Sequence, residues 1–438
     1  MQTSSARGTW SGAVGFILAA MGSAVGLGNV WRFPYITGQY GGAAFMLIYL
    51  GCVLAVGVPI MLAEFLIGRK TQRNPVGAFK ALRPGSPWIV TGWLGVVSGF
   101  VILSYYAVVG GWVLHYVYLS LSNAFTGRSP DQITALFVDL NGNPWLQIFW
   151  HTIFMTLTIV IVSRGVASGI ESGNKVMMPV LFALLLGLLV YALQTNGAAA
   201  GVEFLLRPQW QKLGPNAVLE ALGQALFSLS LGMGAMVTYG SYLSRQSNLV
   251  RSALFIGIGD TLVAILAGFV IFPLVFSFGL EPSSGPGLIF RTLPIAFSQL
   301  PAGYLVALAL FALLSFAALT SSISLLEVVC AYFVDEQGWS RKQASWGLGT
   351  VIFLLGIPST LGERFLGLMD GLATNYLLPI GALLIAVFTG WCLTRDERKD
   401  EFSAGEISPF HFAAWSFLIR FVSPVAVALI FLHQLQLF

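Results

Sequence analysis

Apolar runs of roughly 18 to 25 residues recur along the whole chain, and a run of that length is what an α-helix needs to cross a bilayer. Eleven can be marked, at about 12–36, 41–68, 88–123, 145–163, 175–195, 217–244, 252–279, 303–334, 343–357, 370–394 and 410–436. The third and eighth are long enough to tilt or project beyond the bilayer; the ninth is the shortest. Composition agrees with this pattern. Only 9% of the 438 residues are charged, against about 25% in soluble domains. So little polar surface excludes a soluble enzyme, a disordered tail or a coiled coil. The runs are about twice the length of β-barrel strands and do not alternate, which excludes a barrel. The expected class is an all-α polytopic membrane protein.

Basic residues set the orientation. The loop 69–87 carries Arg69, Lys70, Arg73, Lys80 and Arg83. With that loop in the cytoplasm, the inner loops and N-terminus hold fifteen bases: these five with Arg7, Arg164, Lys175, Arg245, Arg251, Arg341, Lys342, Arg395, Arg398 and Lys399. The outer loops hold five: Arg128, Arg207, Lys212, Arg291 and Arg364. Arg32 and Arg420 lie in spans. This bias places the N-terminus inside and, with an odd number of spans, the C-terminus outside. The net charge of +4 then reflects loops beside a bilayer and implies no nucleic acid partner. Arg7 ahead of an apolar run superficially resembles a signal peptide, but the run continues into Asn29, Trp31 and Arg32 with no small-residue cleavage site, so it reads as an uncleaved first span. Cys52, Cys330 and Cys392 all fall in apolar segments and read as buried thiols.

Two spans carry helix-breaking stretches. The first contains Gly22-Ser-Ala-Val-Gly-Leu-Gly-Asn29 and the sixth Ser228-Leu-Ser-Leu-Gly-Met-Gly234. Glycine weakens a helix and frees the backbone; Gly22 and Gly26 equally suit a close helix–helix contact. Position favours the first reading. The second stretch comes five spans after the first, so a second set of five helices enters the membrane from the opposite face. Interrupted helices in corresponding places of inverted halves point to a binding site between the repeats. The expected organisation is a first repeat over 1–196, an inverted repeat over 217–396 and an additional helix over 410–438. Unwound backbone in lipid must be satisfied by solute. Half-helix N-termini favour an anionic group, and carbonyl ends favour a cation. A zwitterion with alkali cations suits both.

Charges at membrane depth are costly and usually functional. Glu64, Asp260, Glu327 and Asp370 fall in or at spans. Arg32 and Asp370 share an outer depth, Arg7 and Asp335 an inner one. Each pair reads as a gate or as a solvated interfacial ion pair. Thr320, Ser321 and Ser322 offer oxygen ligands of the type hard cations take, or hydroxyls bonded back to their own helix. The four histidines show no metal spacing, and His115 and His151 read as satisfied polar groups. Nucleotide-binding, metalloprotease, serine-hydrolase and dithiol motifs are all absent, so no catalysis is implied.

At these residues the sequence resembles the neurotransmitter:sodium symporter family, in its prokaryotic eleven-span subgroup. The matching stretches are Gly26-Leu-Gly-Asn-Val-Trp-Arg-Phe-Pro-Tyr35, Ser104-Tyr-Tyr106, Gln224-Ala-Leu-Phe-Ser-Leu-Ser-Leu-Gly-Met-Gly234, Ala264-Ile-Leu-Ala-Gly-Phe-Val-Ile-Phe-Pro273 and Leu319-Thr-Ser-Ser-Ile323. The resemblance implies the leucine-transporter fold, a five-plus-five inverted repeat with helices 1 and 6 unwound at mid-membrane. It implies a first sodium on Ala24, Asn29, Ser228 and Asp260, and a second on Gly22, Val25, Ala317, Thr320 and Ser321. An amino acid carboxylate would meet Leu27, Gly28 and Tyr106. Its ammonium would meet carbonyls near Ala24, Phe227 and Ser230, and its side chain would lie among Ile102, Phe227, Met233, Ser321 and Leu325. Arg32 with Asp370 would be the outer gate, above a lid of Tyr106 and Phe227. Arg7 with Asp335, and Trp10, Ser241 and Tyr242, would be the inner gate. Glu64 would accept hydrogen bonds from the broken helices.

Three positions depart from the family pattern. Ser228 stands where threonine is common and keeps an oxygen ligand. Met233 stands where phenylalanine is common, and an unbranched thioether suits a tolerant apolar pocket. Asp260 stands where asparagine is common. Chloride-dependent relatives add chloride beside the first sodium, and some bacterial ones use a carboxylate one turn later, where this chain has Ala264. Asp260 is therefore expected to supply the compensating charge, making chloride unnecessary. On the empty return leg it would carry a proton outward. Ala24 occupies the first-span position that is acidic in monoamine carriers, which favours a neutral apolar amino acid. The expected activity is sodium-coupled uptake by alternating access in a bacterial inner membrane. A proton-coupled carrier of the same fold and a non-transporting sensor are the alternatives, and the role of Glu327 stays open.

Overall fold

In lipid a chain must satisfy its backbone polar groups within each segment, and helices do so. The computed structural model describes residues 8–279, 287–403 and 409–434, and among them every regular element is helical. In chain order the principal helices are α1 (Ala13–Ala24), α2 (Gly28–Gln39), α3 (Ala43–Thr71), α4 (Ile89–Leu121), α5 (Pro144–Ser163), α6 (Val166–Ala192), α7 (Pro215–Ser228), α8 (Ala235–Gly240), α9 (Leu249–Phe276), α10 (Gly303–Gln337), α11 (Arg341–Thr360), α12 (Glu363–Cys392), α13 (Arg395–Ser403) and α14 (Phe410–His433). Polar caps start several of them at the ends of apolar runs. Asn143 Oδ1 accepts from Leu146 N at 3.1 Å ahead of α5, and Ser340 with Gln343 forms a reciprocal capping box ahead of α11, each satisfying amides that have no partner in the first turn.

Among the described residues, eight helices are long and apolar enough to cross a membrane, and a ninth is reached when α1 and α2 count as one bent span. The expected sixth span is two pieces, α7 and α8, and the expected ninth, α11, is a helix of 20 residues that falls short of the same measure. The expected fifth span begins nine residues too late. Helix α6 starts at Val166, through Ser168, Gly169, Ser172, Gly173 and Asn174, a stretch too polar to read as a membrane run. The outer faces keep large apolar side chains exposed, such as Trp145 at 80% and Val176 at 64%, a surface suited to lipid and not to water.

Helix α4 and helix α10 pack closely at the centre, where a Cβ on Gly99 would lie 3.1 Å from Leu325 O. Two minor expectations are corrected. Cys392 is only partly buried, unlike Cys52 and Cys330. His151 is fully buried, but neither of its ring nitrogens has a hydrogen-bond partner; its ring packs tilted at 37° against Phe353, 4.6 Å between centroids. His115 likewise leaves Nδ1 without a partner.

Candidate substrate and cation site

The two glycine-rich stretches are breaks. Helices α1 and α2 meet at a 52° bend. Gly26 sits where a Cβ would come within 2.8 Å of Ser321 Oγ and 3.3 Å of the Tyr106 hydroxyl, so only glycine lets the other helices approach. Between α7 and α8, Ser230, Gly232 and Gly234 all have positive φ, at 54°, 80° and 76°. That left-handed region ends a helix and is costly for residues other than glycine. Glu64, fully buried on α3, accepts from Gly232 N at 2.8 Å. Ser23 O accepts from Ser230 Oγ at 2.7 Å and from Ser321 Oγ at 3.2 Å. One carbonyl of the first break thus ties the second break to α10.

Between the breaks lies a small cavity. Ala24, Leu27 and Gly28 from the first break, Ile102 and Tyr106 from α4, Phe227, Ser230 and Met233 from the second break, and Ser321 and Leu325 from α10 all line it. Polar groups gather at one side, where Leu27 N donates to the Tyr106 hydroxyl at 3.5 Å. Ile102, Met233 and Leu325 make the other side apolar.

At the edge of this cavity three helices bring polar side chains together. Asn29 Nδ2 donates to Asp260 Oδ1 at 2.7 Å, to Asp260 O at 3.1 Å and to Ser228 Oγ at 3.0 Å. Ser228 Oγ donates to Asp260 Oδ2 at 2.7 Å. Asp260 is fully buried, with no ion pair to a basic side chain among the described residues, and a buried carboxylate without a counter-charge is costly. Asn29 turns its amide nitrogen to this cluster while its Oδ1 accepts from Gly26 N at 3.0 Å; Asp260 and Ser228 supply oxygens and one negative charge, the chemistry that a small hard cation takes. Tyr49 on α3 also donates to Asp260 Oδ2, at 3.3 Å, and Gln224 Nε2 to Gly28 O at 3.1 Å. Neither was singled out in the sequence, although a buried tyrosine amid the apolar α3 was a readable signal.

The second group of expected cation ligands lies where α1 meets α10. Thr320 Oγ1 turns back onto Phe316 O and Ala317 O, both at 3.0 Å, while Ser321 reaches across to Ser23. A hydroxyl that donates in this way keeps lone pairs for a cation. Gly22 faces Thr320, whose Cβ would be 3.1 Å from a Cβ added there.

Arg32 lies over the Phe227 ring at 5.6 Å and pairs with Glu220 at 3.5 Å. Asp370 instead accepts from the Tyr105 hydroxyl at 3.1 Å. No ion pair joins Arg32 to Asp370 among the described residues, so the expected pairing is absent here; Glu220, on the helix carrying Phe227, is the nearer carboxylate. Arg7 lies outside the described residues. Asp335 accepts from Asn74 N and Nδ2, both at 3.1 Å. Trp10 Nε1 donates to Tyr239 O at 2.9 Å, Ser241 Oγ to Thr238 O at 2.6 Å, and the Tyr242 hydroxyl to Glu327 Oε1 at 2.5 Å. Arg341 pairs with the other oxygen of Glu327. Glu171, at the start of α6, accepts from Ser11 N at 2.9 Å and pairs with Lys175 at 2.7 Å; it fell in a stretch that read as loop. Beyond the spans, Arg83 donates to both oxygens of Glu397 on α13, at 3.0 and 2.8 Å. That guanidinium holds the Glu397 carboxyl down to about 2.

With this geometry in view, comparison with known proteins is informative. The model of the sodium:neurotransmitter symporter family matches residues 7–133 and 138–438. A sodium-dependent transporter of Bacillus subtilis is 42% identical over 97% of this chain and 97% of its own length. One from Methanocaldococcus jannaschii is 35% identical over 97% of this chain and 90% of its own. Among solved structures, that of MhsT in complex with L-phenylalanine shares 45% identity, with a TM-score of 0.91 over 98% of this chain and all of that one. Both curated relatives are sodium-dependent transporters, and the family is one of sodium-coupled transporters, not of enzymes. The chain belongs to the sodium:neurotransmitter symporter family.

Proposed function

We propose that this transporter couples uptake of a neutral, apolar L-amino acid to two sodium ions by alternating access, without chloride. The observation that carries the reading is the convergence of Asn29, Ser228 and Asp260 beside a cavity that is polar at the helix breaks and apolar opposite them. The amide ends of Leu27 and Gly28 and the Tyr106 hydroxyl would receive a carboxylate, since half-helix N-termini favour negative charge. Ile102, Met233 and Leu325 would hold an apolar side chain, and the solved MhsT complex with L-phenylalanine supports that substrate class. Asp260 balances one of two cationic charges, the role that chloride has in other members. Sodium entering down its gradient supplies the work, with about 2.3 kcal/mol per charge per 100 mV from the potential.

Phe227 and Tyr106 form the lid of this site and Arg32 closes above it. Trp10, Ser241, Tyr242 and Asp335, with Arg7, close the inner side. The two repeats, 1–196 and 217–396, rock about the broken helices, and 410–438 is an added span. A cytoplasmic N-terminus and an external C-terminus follow from the distribution of basic residues, and resemblance to the prokaryotic subgroup supports a bacterial inner membrane. Uptake of labelled phenylalanine and leucine into proteoliposomes tests this reading. The expected result is accumulation driven by an inward sodium gradient and unchanged when gluconate replaces chloride. Accumulation driven by a proton gradient in sodium-free medium would overturn it.

A further inference from the structure

Asn174 on α6 is fully buried, yet its side-chain oxygen has no hydrogen-bond partner. Its orientation is fixed, because Nδ2 donates to Ile170 O at 2.8 Å. Flipping the amide would set oxygen against oxygen, so the unpartnered atom is Oδ1 and not the nitrogen. A buried acceptor without a donor costs stability, which asks what that oxygen serves. It points at the wall of the expected second cation site. A Cβ on Gly22 would lie 2.2 Å from Asn174 Oδ1 and 3.1 Å from Thr320 Cβ. The carboxamide oxygen therefore occupies the gap left by the missing side chain of Gly22, facing two residues expected to hold the ion. The nearby hydroxyl of Thr320 gives it nothing, since that proton goes to Phe316 O and Ala317 O.

We infer that Asn174 serves the second sodium site through Oδ1, as a ligand of the ion or of a water in its shell. This rests on the two-sodium reading above. The chemistry is consistent with it: a neutral carboxamide oxygen is a hard donor of the kind such ions take, and it adds no charge to a site that otherwise has only carbonyls and hydroxyls. It also gives α6 a direct part in holding the ion. Without the ion, the oxygen is left unpaired and the contact between α6 and the first break is weakened.

The test is sodium-dependent thermal stabilisation of the purified full chain without amino acid, a direct readout of ion binding by linkage. It compares Asn174→Ala, Asn174→Asp and Thr320→Ala with the unaltered protein, using potassium as the control cation. Removing a ligand-supporting group typically weakens metal binding by about 10- to 100-fold. Asn174→Ala should therefore need about 10-fold more sodium for half-maximal stabilisation. Asn174→Asp loses the bond to Ile170 but keeps an oxygen and adds a negative charge, and should need no more sodium than the unaltered protein. Equal loss in both variants would mean that only the Ile170 bond matters, and would overturn the inference. So would an unchanged Asn174→Ala beside a weakened Thr320→Ala. A Thr320→Ala protein with an unaltered sodium response would overturn the second site itself, and the inference with it.

Discussion

Replacing Asp260 by asparagine removes one charge from the cation site while changing few of its contacts. The carboxylate accepts from Asn29 at 2.7 Å, from Ser228 at 2.7 Å and from Tyr49 at 3.3 Å. An asparagine oxygen can keep the first of these and still face a cation. What is lost is attraction between unit charges, about 4 kcal/mol at a separation of about 4 Å and an effective dielectric near 20. The retained oxygen offsets part of this, leaving about 2 kcal/mol, or roughly 30-fold in sodium affinity. Asp260→Asn should therefore raise the sodium concentration for half-maximal phenylalanine binding by roughly 30-fold. An anion able to enter the vacated charge position should recover part of it, so chloride should lower that concentration in the variant and leave the unaltered protein unmoved. Scintillation-proximity binding with chloride or gluconate as counter-ion measures both. A sodium requirement within about threefold of the unaltered protein, with no chloride response in the variant, would refute the charge-compensation argument.

Other consequences follow from packing and pairing. Met233→Phe places a rigid ring where a flexible thioether lines the cavity, and competition binding should shift preference from phenylalanine towards the smaller leucine. Gly381→Ala would set a Cβ 2.1 Å from Gly232 O in the second break; backbone must move, so both melting temperature and sodium-dependent binding should fall. Arg341→Gln leaves the fully buried Glu327 with only Tyr242 and should cost about 3–5 kcal/mol; thermal melts should show most of that loss recovered in the double variant with Glu327→Gln. Glu397 is held below the ordinary carboxylate value by Arg83. Its contribution to stability is therefore complete above about pH 4.3 and is lost as pH falls towards 2. Melting curves of the unaltered protein and Glu397→Ala should converge over that window and stay apart at neutral pH.

Most of the fold was legible because lipid imposes a simple rule: apolar runs of sufficient length become helices. The rule failed where helices are polar or broken. Helix α6 opens with Ser168, Gly169, Ser172 and Asn174, and its first nine residues were missed along with Glu171 and Asn174. The breaks were visible as glycine clusters, but not the positive φ of Ser230, which no residue preference announces. The cavity residues were legible through resemblance to a family, and the structure gathers them around one space. Pairings were less legible. Shared depth suggested Arg32 with Asp370, but lateral position decides which carboxylate lies near, and Glu220 does. Tyr49 and Gln224 act through long-range contacts with Asp260 and Gly28, which spacing along the chain does not encode.

The central claim is that sodium and an apolar amino acid bind one site together. Equilibrium binding of a panel of the twenty amino acids to purified protein, titrated with sodium against potassium and with gluconate in place of chloride, tests it most directly. The account predicts saturable binding of an apolar amino acid that appears only as sodium is added. Binding equally strong in potassium would contradict it.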